Sequence, residues 1–206
     1  MLKIWGRNNS SNVQKVLWCC DEIGLPFERE DAGGQFGRTR DDDMLARNPN
    51  ARVPTVDDDG FLLWESNVIV RYLAAKHSMG ALCPEDLQVR ADADRWMEWQ
   101  QTTVLGPLTT IFWGLVREPG KFTVEEIKQA VETAVPIWQI LDRRLEGRGW
   151  LLGDTFTMAD IALGPSAYRW FTLVDKRPPM PAFEAWYGRV SARPAFDTHI
   201  ASIPLT

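Results

Sequence analysis

Few side chains in this 206-residue chain could act as a nucleophile or ligate a metal. Cys19 and Cys20 are adjacent, Cys83 stands alone, and no CxxC spacing occurs. Adjacent cysteines rarely bridge each other and the count is odd, so the thiols read as reduced, in a reducing compartment. Cys19 and Cys20 fall mid-helix and read as inert buried thiols. His77 and His199 belong to no Cys/His cluster, which argues against structural zinc. The acid runs Asp41-Asp42-Asp43 and Asp57-Asp58-Asp59 have the composition of a metal site. They fit a helix start and a hairpin turn better, both solvated, and no metal is expected. Ser10 and Ser11 precede one helical pattern, and Glu65-Ser66 precede another. Taken alone, each serine is an N-cap and Glu65 a first-turn acid.

The elements that must position these groups fall into two regions. Leu2-Lys3-Ile4-Trp5 alternates as a strand. Val13, Val16, Leu17, Cys20 and Ile23 recur at helical spacing, and Gly24 stands where the helix should stop. Residues 26–30 can form a second strand, and the glycines of 33–37 a loop. Val53 to Val56 and Phe61 to Trp64 flank Asp58-Asp59-Gly60 as a hairpin, and Ser66 should cap the next helix. The order is βαβ, a less regular segment, then ββα. Everything after a linker at residues 78–84 reads as helical. Leu87 to Val116 is one long pattern that Gly106-Pro107 should kink. Thr123 with Glu126, and Thr157 with Asp160, open further helices, with Pro136 bending the first. Ala182 to Val190 is the last clear one.

Composition narrows the function classes. Hydrophobic residues make up 45% and charged residues 25%, which excludes global disorder. The net charge is −5, and residues 1–80 carry 10 basic and 12 acidic groups. Neither region has the basic excess that nucleic-acid binding needs. No run of about 18 apolar residues could span a membrane, and the N-terminus reads as no signal peptide. Ten tryptophans are unusual, and seven follow residue 80.

Four motifs accompany this layout: residues 10–16 (SSNVQKV), 48–55 (NPNARVPT), 64–73 (WESNVIVRYL) and 156–161 (FTMADI). In this order and at these separations the chain resembles a cytosolic glutathione S-transferase of the serine-type theta/delta-like bacterial group, over essentially its whole length. The resemblance implies a thioredoxin-like glutathione-binding domain over residues 1–79. It also implies an all-helical domain over 86–206 that shapes the electrophile pocket. It implies glutathione as co-substrate, a detoxifying transferase activity toward hydrophobic electrophiles, a cytoplasmic location and a homodimer. Glutathione-dependent peroxidase, dehalogenase or ether-cleaving activity would use the same thiolate. A weakly catalytic glutathione-binding interaction module is the remaining alternative.

Matched position by position, the family serine falls on Ser10, with Ser11 as the fallback. A thiol titrates near ~8.5, and lowering that by ~2 units takes about 2.7 kcal/mol of preferential thiolate stabilisation. A serine hydroxyl and the open N–H groups of a helix start can supply it. The family's cis proline matches Pro54, and Val53 would then pair with the cysteinyl unit of glutathione as a strand edge does. Glu65 suits the γ-glutamyl ammonium and Ser66 its carboxylate. Arg52, Gln35 and Arg38 are candidates for the glycine carboxylate. Trp96, Trp99, Thr103, Phe112, Trp113, Tyr168 and Trp170 are candidates for the electrophile pocket, although most aromatics at helical spacing are core. Four features depart from relatives: Ala51 replaces a histidine, Asn67 replaces an arginine, and the beta-class cysteine and the mammalian-type tyrosine are absent.

Overall fold

A computed structural model describes residues 1–206. β1 (Leu2–Trp5) leads through α1 (Ser11–Glu22) to β2 (Phe27–Glu30), and β1 and β2 pair in parallel. Parallel strands need a crossover, and α1 is that crossover. A short 3-10 turn (Gly34–Phe36) and α2 (Asp42–Arg47) precede β3 (Thr55–Asp58) and β4 (Phe61–Trp64), both antiparallel to their neighbours. The sheet order is β2-β1-β3-β4, and α3 (Ser66–His77) follows. α1 stops where Gly24 takes a φ of 65°. The β3–β4 hairpin turns through Asp59 and Gly60 at φ 52° and 95°, which suits the twist of the flanking strands.

Two local expectations change. Ser66 is the first residue of α3, and Glu65 holds the cap position with a φ of 72°. Asp58 is not a solvated turn residue: its carboxylate accepts from Tyr72 Oη at 2.6 Å and Lys76 Nζ at 2.5 Å. Tyr72 and Lys76 lie one turn apart on α3, so the packing of α3 against the hairpin brings both donors to one acid. Those bonds hold the Asp58 carboxyl below its ordinary range.

The second region is helical throughout. α4 (Leu87–Trp99), a π turn (Gln100–Val104), α5 (Leu105–Phe112) and another π turn (Trp113–Arg117) form one long rod. The first π turn ends two residues before Gly106-Pro107, where the sequence predicts a kink, and its wider ladder suits the donor that Pro107 lacks. α6 (Val124–Leu145) opens with the Thr123–Glu126 capping box. α7 (Met158–Leu173), α8 (Pro181–Ser191) and a short α9 (Pro194–Phe196) continuing into a π turn (Asp197–Ala201) complete it. The sequence pattern shows nothing clear after α8, because three residues and one turn are too short to establish a period.

One hydrophobic core runs through both regions. Trp18 of α1 is fully buried between Phe156 and Phe196, and a Cβ on Gly164 of α7 would come within 2.4 Å of its ring. At the end of α1, Glu22 accepts from Trp18 Nε1 (2.8 Å) and Arg193 Nε (2.7 Å), and Asp21 meets His199 Nε2 at 2.7 Å. The two regions are therefore keyed together along α1 and α7.

Asp160 is the buried anchor of α7. Its oxygens accept from Leu151 N (3.1 Å), Trp186 Nε1 (2.8 Å), Thr157 N (2.9 Å) and Thr157 Oγ1 (3.2 Å). Burial pushes its carboxyl up while the donors pull it down. Asp160→Asn turns an amide NH₂ toward donors only, and is expected to cost roughly 3 kcal/mol in denaturant unfolding. A loss below about 1 kcal/mol would show that the loop before α7 repacks around the change.

Candidate functional site

A continuous cleft runs along the seam between sheet domain and helices. It consists of three adjoining cavities of about 320, 280 and 200 Å³. Glu65, Ser66, Val53, Pro54 and Arg52 line the first. Ser10, Arg7, Ala51, Arg52 and Val53 line the second. Arg7, Gln35 and Arg117 line the third.

Ser10 ends the loop after β1 and is 8% exposed. It occupies the N-cap position of α1 in extended conformation, yet its hydroxyl caps nothing. A cap serine normally spends its oxygen on the helix N–H groups. Here Ser10 and Asn12, at the open end of α1, border the same cavity, an arrangement that favours an anion. Ser11 is the first helical residue, partly buried and outside the cavity wall.

The Val53–Pro54 peptide is cis. Neither the N–H nor the C=O of Val53 takes part in the backbone hydrogen bonding of loops and turns, so both are free along the cleft. Asn48 fixes the turn that presents them, donating to Arg52 O at 3.0 Å and Thr55 Oγ1 at 3.1 Å. Glu65 is exposed in a left-handed conformation that side-chain-bearing residues rarely adopt, and its carboxylate stands in the cleft wall. Ser66 is buried, with Oγ donating to Asn12 Oδ1 at 3.2 Å. Arg38 turns away to Glu30 at 3.2 Å, with Asp41 and Asp43 at 3.9 Å.

The aromatic candidates lie elsewhere. None of Trp99, Thr103, Phe112, Trp113 and Tyr168 lines the three cavities. Trp99 packs edge-on against Trp96 and Trp138, and with Trp96 borders a separate cavity beside Ile140. Tyr168 donates to Ala201 O at 3.3 Å and packs against Phe196. Phe112 is buried beneath Arg169 and Arg117, and Trp113 faces Lys121. Thr103 is half-buried in the π turn, and Trp170 is fully buried. The residues in the wall instead are Arg7, Asn9, Asn12, Asn48, Asn50, Gln101 and Arg117.

Behind Ser66 lies a buried cation that pattern reading passes over. Lys15 is 1% exposed and donates to Gln100 Oε1 (2.8 Å), Asn67 Oδ1 (3.1 Å) and Ser66 Oγ (3.5 Å). Gln100 Nε2 donates on to Ser166 Oγ at 3.1 Å, so four helical segments meet in one polar network. A lysine on the apolar face of α1, between Val13 and Val16, was the available signal. Burial first, then repulsion from Arg169, lowers its pKa to about 7, against an attraction from Glu65.

Comparison with known proteins fits this architecture. Residues 1–75 match the glutathione S-transferase N-terminal domain, and residues 124–189 the glutathione S-transferase C-terminal domain. Glutathione S-transferase GstB of Escherichia coli strain K12 is 39% identical over 201 residues, covering 95% of each chain. The theta class glutathione S-transferase of Xanthomonas axonopodis pv. citri with glutathione bound superposes with a TM-score of 0.94 at 41% identity, covering 100% of this chain and 99% of that one. Its apo form gives 0.85 at 37% identity, covering 100% and 98%. The chain belongs to the glutathione S-transferase family.

The lysine supplies a stability test. Its folded pKa lies below the ordinary 10.5, so between about pH 7 and 10.5 the unfolded chain binds the additional proton. The wild type should therefore gain stability, relative to Lys15→Met, as pH rises through that window. Parallel melting curves from pH 7 to 10 measure it. A constant difference in Tm would mean that Lys15 titrates as an ordinary amine.

Proposed function

We propose that this family member binds glutathione along the cleft and holds its thiol as thiolate at Ser10 for attack on an electrophile. The carrying observation is the uncommitted Ser10 hydroxyl at the mouth of α1, beside the free polar edge of Val53. The γ-glutamyl end of glutathione suits the Glu65–Ser66 end of the cleft, where a carboxylate meets its ammonium and a hydroxyl its carboxylate. The cysteinyl unit pairs with Val53, which delivers sulfur to Ser10. Arg52 borders the cleft beside Val53 and is the cation assigned to the glycine carboxylate, with Gln35 further along. Ser10 stabilises the thiolate and attacks nothing itself. The chain works in the cytoplasm, where Cys19, Cys20 and Cys83 stay reduced; all three are buried free thiols. It acts as a homodimer, the sheet domain of one subunit against the helical domain of the other. Exposed Phe61, Leu62, Trp64 and Val68 on β4 and α3 give that contact an apolar surface.

Ser10→Ala should raise the pKa of bound glutathione thiol by about 1–2 units. The loss of activity then shrinks at high pH, where the thiol ionises unaided. Ultraviolet titration of the bound thiolate reads the shift, with Ser11→Ala as control. A curve moved only by Ser11→Ala transfers the role to that residue, and a curve moved by neither removes serine from the mechanism. In the same preparations Glu65→Ala should weaken glutathione binding roughly 10- to 100-fold. Undiminished affinity would place the γ-glutamyl group elsewhere. Light scattering at micromolar concentration should return the mass of two chains, and a single-chain mass would contradict the dimer.

A further inference from the structure

Lys15 is a buried cation without a counter-charge. Its acceptors, Gln100 Oε1, Asn67 Oδ1 and Ser66 Oγ, are all neutral. Lys76, Lys121 and Lys128 stand at the surface, and each meets a carboxylate: Asp58, Glu118 and Glu125. Burying an ammonium among neutral groups is costly, and an apolar side chain of similar volume on α1 would avoid that cost. Burial and Arg169 oppose the charge, and the attraction of Glu65 is weaker than either.

Ser66 stands between this cation and the 320 Å³ cavity. It accepts from Lys15 Nζ at 3.5 Å and lines the cavity beside Glu65 and Asn12. An ammonium has donors only, so the Ser66 hydroxyl hydrogen cannot turn back toward Lys15. It goes to Asn12 Oδ1 at 3.2 Å, and a carboxylate in the cavity can take it in place of that amide. The support behind Lys15 is fixed on both sides. Asn67 Nδ2 donates to Met97 O at 2.8 Å, and Gln100 Nε2 donates to Ser166 Oγ at 3.1 Å. Gln101, the next residue of the same π turn, lines the cavity itself.

Resting on the glutathione reading above, we infer that Lys15 is a positioning residue for glutathione: its ammonium aims the Ser66 hydroxyl outward and supplies the positive charge against which the γ-glutamyl carboxylate is held. The carboxylate touches Ser66 and feels Lys15 directly behind it, through a buried gap where charges are poorly screened. The ammonium is already locked by its acceptors, so binding orders no further side chain on that account. Glu65 takes the γ-glutamyl ammonium. The zwitterionic end of glutathione is thus read by two opposite charges, one exposed at the cleft wall and one buried beneath it.

Three ligands separate the charges. Glutathione has both, γ-aminobutyryl-cysteinylglycine lacks the γ-glutamyl carboxylate, and glutaryl-cysteinylglycine keeps that carboxylate but lacks the ammonium. Affinities are measured by calorimetry at about pH 6.5, where Lys15, with its pKa of about 7, is charged. Lys15→Met should weaken glutathione and glutaryl-cysteinylglycine roughly 10-fold or more and leave γ-aminobutyryl-cysteinylglycine within about twofold. Gln100→Glu is the second variant and carries the test if Lys15→Met fails to fold. It keeps the ammonium and its acceptors but sets a carboxylate on Lys15, and should give the same selective loss. Equal losses for all three ligands overturn the inference, because a lysine that only supports packing does not distinguish them. Undiminished glutathione affinity in the folded variants overturns it as well. Wild type that binds glutathione and γ-aminobutyryl-cysteinylglycine equally overturns it together with the Ser66 assignment, and leaves Ser10 untouched. Wild type that binds none of the three overturns the glutathione reading itself.

Discussion

Helix α1 has no solvent face along most of its length. Every residue from Val13 to Cys20 is buried, against α3 on one side and α7 on the other. That single constraint organises the molecule. It joins the sheet domain to the helical domain through Trp18, Phe196 and the close approach of Gly164. It fixes the C-terminal end of α1 through Glu22 and Asp21. The other end is therefore held still, and Ser10 is what stands there. A hydroxyl that must meet a sulfur needs a rigid support, and a helix packed on both sides provides one.

The same burial explains Lys15. A lysine on an otherwise apolar helix face cannot reach water, so its ammonium must find acceptors inside. Gln100 of the π turn and Asn67 and Ser66 of α3 supply them. Gln100 reaches inward from the π turn that precedes Pro107. The irregularity in the long rod and the buried cation are thus parts of one arrangement, which ends at the Ser66 hydroxyl. The strained Glu65 backbone sits directly in front of it, placing a carboxylate at the mouth of the cleft above a positive charge.

Tryptophan is abundant here for structural reasons. Trp138 lies among Trp99, Trp170 and Phe183, and Phe183 stacks with Trp186, whose Nε1 is held by Asp160. Large flat rings bury much surface for little side-chain entropy, which suits helices meeting at irregular angles. No aromatic side chain lines the cleft, and the wall opposite Ser10 is left to polar and basic side chains. Its chemistry is that of charge rather than apolar contact.

Much of the fold was legible in the sequence because it is local. Strand alternation in Leu2–Trp5, the turn at Asp59-Gly60, and the Thr123 and Thr157 capping boxes each depend on residues a few positions apart. The resemblance of four short motifs then named Ser10, Val53, Pro54, Glu65 and Ser66, which the folded chain brings to one cleft. The remaining features are decided between distant segments. Asp58 has the same neighbours in sequence as a solvated turn acid, and only the approach of Tyr72 and Lys76 buries it. Helical spacing cannot say whether an aromatic faces a pocket or a neighbouring helix, so Trp99 and Tyr168 could be placed only by packing. Arg7, Arg117 and Arg169 are unremarkable surface types in three separate segments. Their meeting beside the Phe112 ring and the cleft is a property of the tertiary fold, because neighbours in space need not be neighbours along the chain.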